Sequence, residues 1–151
     1  MTSLDKPILQ LDPNVWGPHF WFFFHTLAIS YPNRPNAVTK KKYYEFFQNI
    51  PLFIPTEHIG NDFEKLLDEY PVSSYLDSRE ALIKWVHFIH NKINEKLEKP
   101  PITLNDFFVE YYDRYKSKNE KLAEYYKLRE KIVYGTILAS FLGAIYYLYD
   151  K

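Results

Sequence analysis

The side chains best suited to chemistry in this sequence form a polar stripe at helical spacing: His87, His90, Asn91 and Asn94. Three interpretations compete for the stripe. It is a solvated face or a set of satisfied core hydrogen bonds. Alternatively, His87 and His90 bind zinc, although their i, i+3 spacing comes with no evident third ligand. In the third interpretation the stripe forms one wall of a ligand site, since imidazole and carboxamide groups together can bind a heterocycle and a phosphate.

Composition excludes several other kinds of site. The 151 residues include no cysteine, so a disulfide framework, a thiolate metal site and a cysteine nucleophile are all excluded. The 19 basic residues balance 19 acidic ones, which gives no electrostatic basis for a nucleic-acid partner. The length leaves room for one domain of about 100 residues and an appendage.

The polar stripe belongs to the last of four predicted helices. Each helix is marked by a capping residue or proline at its start and by a proline after its end. The predicted boundaries are Asp12-Pro13 and Pro32 for the first helix, Thr39 and Pro51 for the second, Thr56 and Pro71 for the third, and Asp77, in an Asp-x-x-Glu capping box, and Pro100 for the fourth. No segment alternates with a period of two, so the sequence predicts an all-α bundle.

The C-terminal third has a different character. Thr103 predicts a further helix start, and charged residues are dense up to Lys131. Residues 132–149 then carry no formal charge and cover roughly 27 Å as a helix, which predicts a transmembrane span. Seven Lys/Arg lie between Arg114 and Lys131 and one follows the span, so the positive-inside rule places the domain on the cytosolic side. Small residues four apart, Gly135, Ala139 and Gly143, favour helix association and with it a homodimer.

Several motifs between Val15 and Pro100 occur in a fixed order. They are Trp16-Gly17 with Trp21, His25-Thr26-Leu27-Ala28 and Tyr31-Pro32; the stretch from Ile54 to Phe63; Ser78-Arg79 with Trp85; and the stretch from His90 to Pro100. Together they resemble the Erv/ALR family of FAD-linked sulfhydryl oxidases. The resemblance implies a four-helix bundle with a short capping helix, which holds FAD between its helices.

The resemblance also implies roles for individual residues toward FAD. Trp21, His25 and Tyr31 would wall the cofactor, and Gly17 would allow its close approach. His90, Asn91 and Asn94 would contact the adenosine side, Lys99 would neutralise phosphate charge, and Phe63 would lie near the isoalloxazine. The implied organisation is an N-terminal arm (1–12), the Erv/ALR-like domain (13–101), a charged helical connector (102–131) and the transmembrane helix (132–149). No metal site is implied.

The sequence departs from the family pattern where the reaction should occur. The resemblance places a redox-active pair of cysteines at positions 56 and 59, which are Thr56 and Ile59 here. His87 stands where a further cysteine is common. Glu95 and Glu98 bring negative charge near the implied pyrophosphate and predict weakened FAD binding.

Two hypotheses of function follow. In the first, the chain is a catalytically inactive, membrane-anchored structural or adaptor protein that retains the FAD-binding fold. A minimal domain with its own anchor suggests a large DNA virus, with virion or capsid proteins as partners and the virion inner membrane as location. In the second, the chain is a FAD-linked sulfhydryl oxidase, which converts a dithiol and O₂ into a disulfide and H₂O₂, whose cysteines were removed by substitution.

Overall fold

The computed structural model describes residues 11–150, and every regular element in that range is helical. The fold is therefore all-α and confirms the predicted class. The six α-helices are α1 (Pro13–Ser30), α2 (Ala37–Asn49), α3 (Glu57–Glu69), α4 (Arg79–Lys96), α5 (Leu104–Asp113) and α6 (Lys118–Tyr149). Short 3₁₀ segments, Ile50–Phe53 and Val72–Tyr75, precede α3 and α4.

Side-chain caps set the starts of α1, α2 and α4. The Asp12 carboxylate accepts a hydrogen bond from the Asn14 amide at the start of α1. The α2 helix begins two residues before the predicted Thr39, because the Asn36 side chain caps the Thr39 amide. The predicted capping box at Asp77 is wrong: Ser78 is the N-cap of α4 and accepts from the Ala81 amide.

The hydrophobic core lies among α1 to α4, and α1 packs along α4. Its largest fully buried side chains are Trp85, Tyr31 and Phe47. The Trp85 indole donates to the Tyr70 carbonyl, so its polar atom is satisfied within the core. Gly60 lets α3 pass close to the preceding 3₁₀ segment, because a Cβ there would lie 2.9 Å from the Pro51 carbonyl oxygen. Close packing of α1, α3 and α4 then positions the polar stripe.

The described residues form two compact units, one up to Phe107 and one from Phe108 onward. In the second unit, the charged region before Ile132 and the uncharged region after it belong to one continuous helix, α6. A capping box between Ser117 and Glu120 starts this helix. By length and composition α6 is long and apolar enough to cross a membrane, and its most apolar stretch is wholly exposed.

Candidate functional site

A cluster of aromatic and imidazole rings joins α1 to α4. The rings of Trp21 and His90 are stacked, with centroids 4.1 Å apart and planes 14° apart. The Nε2 atom of His25 lies 3.2 Å from Nδ1 of His90, so one imidazole donates a hydrogen bond to the other. Phe63 from α3 approaches Trp21 at 6.4 Å between centroids. Four predicted site residues therefore lie together; we call Trp21, His25, Phe63 and His90 the ring cluster.

The sequence did not identify Phe107 as part of this site. Its ring stacks on His25, with centroids 3.9 Å and planes 28° apart. The signal was present in the aromatic face of α5, where Phe107 lies four residues after Thr103. The resemblance implied a short capping helix, but its motifs end at Pro100, so it did not place Phe107 over His25.

The two histidines of the ring cluster are held neutral. Burial is the main cause, and the neighbouring His90 and His87 add to it, so that the pKa of His25 falls from 6.5 to about 3. Burial, followed by the charges of His87 and Lys99, lowers the pKa of His90 to about 4. A neutral imidazole offers one donor and one acceptor, so both rings can read the polar edge of an uncharged heterocycle.

One polar atom of the cluster has no protein partner. His25 is 2% exposed, and its Nδ1 atom is buried without a hydrogen bond to any described residue. An unsatisfied buried polar atom costs roughly 1–3 kcal/mol. A ligand atom or an ordered water at this position would offset that cost.

Two residues of the polar stripe, His87 and Asn91, bind the backbone where the chain turns after α4. The Asn91 carboxamide donates to the Ile102 carbonyl and accepts from the Ile102 amide, each at 2.9 Å. The His87 Nε2 atom lies 2.8 Å from the same carbonyl oxygen. These two residues thus form partly buried hydrogen bonds to the backbone after α4, which is nearest to the first of the three interpretations of the stripe. No group of three His, Cys, Asp or Glu with metal-binding geometry occurs among residues 11–150.

The remaining predicted residues lie outside the ring cluster. Asn94 is buried in the last turn of α4, and its carbonyl accepts from the Lys99 amide. Lys99 itself is exposed. Gly17 faces open space, since nothing lies within 4 Å of an added Cβ. Tyr31 is fully buried in the core, where its hydroxyl donates to the Leu76 carbonyl and its own carbonyl accepts from Arg79.

The first turn of α3 holds the two residues at the positions of the implied cysteines. Thr56 is the N-cap, yet its side chain makes no capping hydrogen bond; its hydroxyl instead reaches the Leu11 carbonyl at 3.5 Å. Ile59 is 5% exposed and belongs to the hydrophobic core. This turn therefore presents a hydroxyl and a buried hydrocarbon, and no group that can exchange electrons.

Comparison with known proteins identifies the family. Residues 18–116 match the Erv1/Alr family. A probable FAD-linked sulfhydryl oxidase of Acanthamoeba polyphaga mimivirus is 34% identical over 94 residues, which are 62% of this chain and 66% of that protein. A putative FAD-linked sulfhydryl oxidase of Invertebrate iridescent virus 3 is 25% identical over 103 residues, which are 68% of this chain and 70% of that protein.

The fold is shared with a solved structure as well. The crystal structure of the FAD-binding domain of Erv1 from Saccharomyces cerevisiae superimposes with a TM-score of 0.62 at 31% identity, and the match covers 68% of this chain and 96% of that one. The chain spans about two thirds of the length of the two viral relatives. By sequence and by fold, this chain belongs to the Erv1/Alr family.

Proposed function

We propose that this protein is an Erv/ALR-fold flavin-binding protein without dithiol oxidase activity, which acts as a membrane-anchored structural or adaptor protein. The observation that carries the proposal is the first turn of α3. There the N-cap is Thr56 and the next inward-facing position is the buried Ile59.

Dithiol oxidation needs an attacking thiolate and a disulfide to attack. The chain contains no cysteine. The threonine hydroxyl stays protonated at neutral pH and forms no disulfide, and the isoleucine side chain is inert. His58 is exposed beside this turn and could serve as a base, but it has no redox-active nucleophile to activate.

The ring cluster fits FAD. The Nδ1 atom of His25 is buried and forms no hydrogen bond with any described residue, so it can bind a ligand atom. The neutral imidazoles of His25 and His90 can form hydrogen bonds with the polar edge of an uncharged ring. Trp21 supplies a flat stacking surface, and Lys99 is an exposed cation for a phosphate. When bound, FAD supplies a two-electron acceptor. Glu95 and Glu98, both exposed near Lys99 in the chain, weaken its binding through charge repulsion.

Asn91 takes a supporting role in this site. Both polar ends of its carboxamide bind the Ile102 backbone, and this holds the segment that leads to Phe107. Asn94, Gly17 and Tyr31 remain part of the proposed site on the strength of their predicted roles.

The membrane anchor is α6, with residues 132–149 in the bilayer and the bundle on the cytosolic side. Support comes from the length and apolar composition of this helix and from the excess of Lys/Arg before it. The viral relatives support a role in the virion of a large DNA virus, with virion proteins as partners. The small residues Gly135, Ala139 and Gly143 favour a homodimer through this helix.

The second candidate function is a sulfhydryl oxidase whose cysteines were removed by substitution. It is favoured by the place of Thr56 at a helix N-terminus, where the helix dipole would stabilise a thiolate. The burial of Ile59 favours the adaptor instead, because a core that accommodates the larger isoleucine is adapted to it.

Two measurements on purified protein test the proposal. The visible absorption spectrum reports bound flavin, which we expect. Oxygen uptake with dithiothreitol should stay at the free-FAD background for the native chain and should rise for a Thr56→Cys/Ile59→Cys variant. Peroxide production by the native chain above background would overturn the inactive assignment. A colourless protein that does not quench added FAD fluorescence would overturn the flavin site.

Membrane anchoring has its own test. Deletion of residues 132–151 should move the protein from the membrane fraction to the soluble fraction. A full-length chain that stays soluble without detergent would contradict the anchor, and α6 would then be a packing helix.

A further inference from the structure

Lys127, Arg129 and Lys131 lie in the last stretch of α6 before its uncharged segment. All three are exposed, and none forms an ion pair in the described part of the chain. By contrast, Lys116 and Lys121 farther upstream are paired with Asp113 and Glu124 at 2.8–3.5 Å. The only acid within residues 127–131 is Glu130, so this stretch carries a net charge of three minus one, or two positive charges.

Because α6 is continuous, these three cations are distributed around the circumference of the helix. Lys127 and Lys131 are one turn apart on the same side, and Arg129 lies on the opposite side. All three are within five residues of Ile132, or about 7.5 Å along the helix axis. This distance is close to the screening length of about 8 Å at physiological ionic strength.

We infer that Lys127, Arg129 and Lys131 bind the headgroups of anionic phospholipids around α6. The inference rests on the proposed membrane span and adds the class of lipid that surrounds it. Each Lys or Arg held at an anionic surface favours association by roughly fivefold. Lys118 and Lys121, at about 21 and 17 Å from Ile132, lie beyond the screening length and contribute little.

Spin-labelled lipids test this in proteoliposomes of phosphatidylcholine that contain the full chain. Electron paramagnetic resonance separates lipid immobilised on the protein from free lipid. We expect labelled phosphatidylserine to associate about two- to fivefold more strongly than labelled phosphatidylcholine at low salt. The preference should shrink in 1 M NaCl, where screening shortens to about 3 Å. Labelled phosphatidylglycerol should behave like phosphatidylserine, because charge is recognised.

A matched pair of variants localises the effect. Lys127→Gln/Lys131→Gln removes two charges beside the uncharged segment, and Lys118→Gln/Lys121→Gln removes two from the far end of the same helix. The first variant should lose most of the preference and the second should keep it. Equal association of both lipids with the native chain, or equal losses in both variants, would overturn the inference. If neither label shows an immobilised fraction, the membrane span itself fails and the inference with it.

Discussion

The ring cluster and the first turn of α3 lie in the same bundle and differ in what their side chains can do chemically. In the ring cluster, the rings of Trp21, His25 and His90 are stacked or hydrogen-bonded, and one buried nitrogen forms no hydrogen bond with any described residue. In the turn of α3, the implied sulfur positions hold a threonine and a core isoleucine. The proposed flavin surface and the implied dithiol positions therefore depend on different residues, so a substitution in one leaves the side chains of the other in place.

The largest expected effect concerns the histidines of the ring cluster. Their pKa values in the folded state, about 3 and about 4, lie below the ordinary 6.5. Above pH 6.5 both states are neutral. As the pH falls below 6.5, the unfolded chain takes up protons that the folded chain does not. The free energy of unfolding should therefore fall by about 1.4 kcal/mol per pH unit for each histidine until the pH approaches 4.

Denaturant unfolding of the full chain in detergent between pH 7 and pH 4.5 measures this loss. A His25→Leu/His90→Leu variant removes the contribution of both rings, and His58→Gln serves as a control at an exposed histidine. The native chain and the control should share a steep pH dependence that the double variant lacks. Identical slopes in all three would mean that the ring cluster is open to water.

The next effect concerns Ile59 and tests whether the turn of α3 is adapted to its present residues. Ile59→Ala should lower the free energy of unfolding by about 2–5 kcal/mol, because it leaves a cavity in the core. Thr56→Ala is the neighbouring control and should change it by less than about 0.5 kcal/mol, since the Thr56 side chain makes no cap. A small cost at Ile59 would favour the substituted oxidase, because the core would not depend on the isoleucine.

The smallest expected effect is on FAD affinity, which should depend on the ring cluster. Trp21→Ala should weaken FAD binding by about 10- to 100-fold, since stacking on an aromatic side chain contributes about 1–3 kcal/mol for each ring. Titration by flavin fluorescence quenching measures it. Phe53→Ala is a matched aromatic control, because Phe53 is 68% exposed before α3 and outside the ring cluster. Equal affinities of the two variants would show that the ring cluster does not hold the flavin.

The sequence predicted the helices well because prolines and capping residues bound them. The resemblance implied only that Trp21, His25 and His90 face one cofactor; the structure brings the three rings together because α1 and α4 pack against each other. Nothing in the sequence indicated that the Asn91 carboxamide would bind the Ile102 backbone or that Phe107 would cover His25. Both depend on the direction of the chain after Pro101, which local propensity does not encode. The Asp77 capping box failed because Ser78 competes for the same role one residue later.

Because α6 is one unbroken helix, the rotational orientation of one end about the helix axis fixes that of the other. Each residue of a helix turns the chain by about 100°, so the face that carries Gly135, Ala139 and Gly143 has a fixed angular phase relative to the Ser117 cap. One residue inserted at position 131 would rotate that face by about 100° and leave the composition of the helix almost unchanged. A rotation of the capped end would thus be transmitted along the helix to its apolar end.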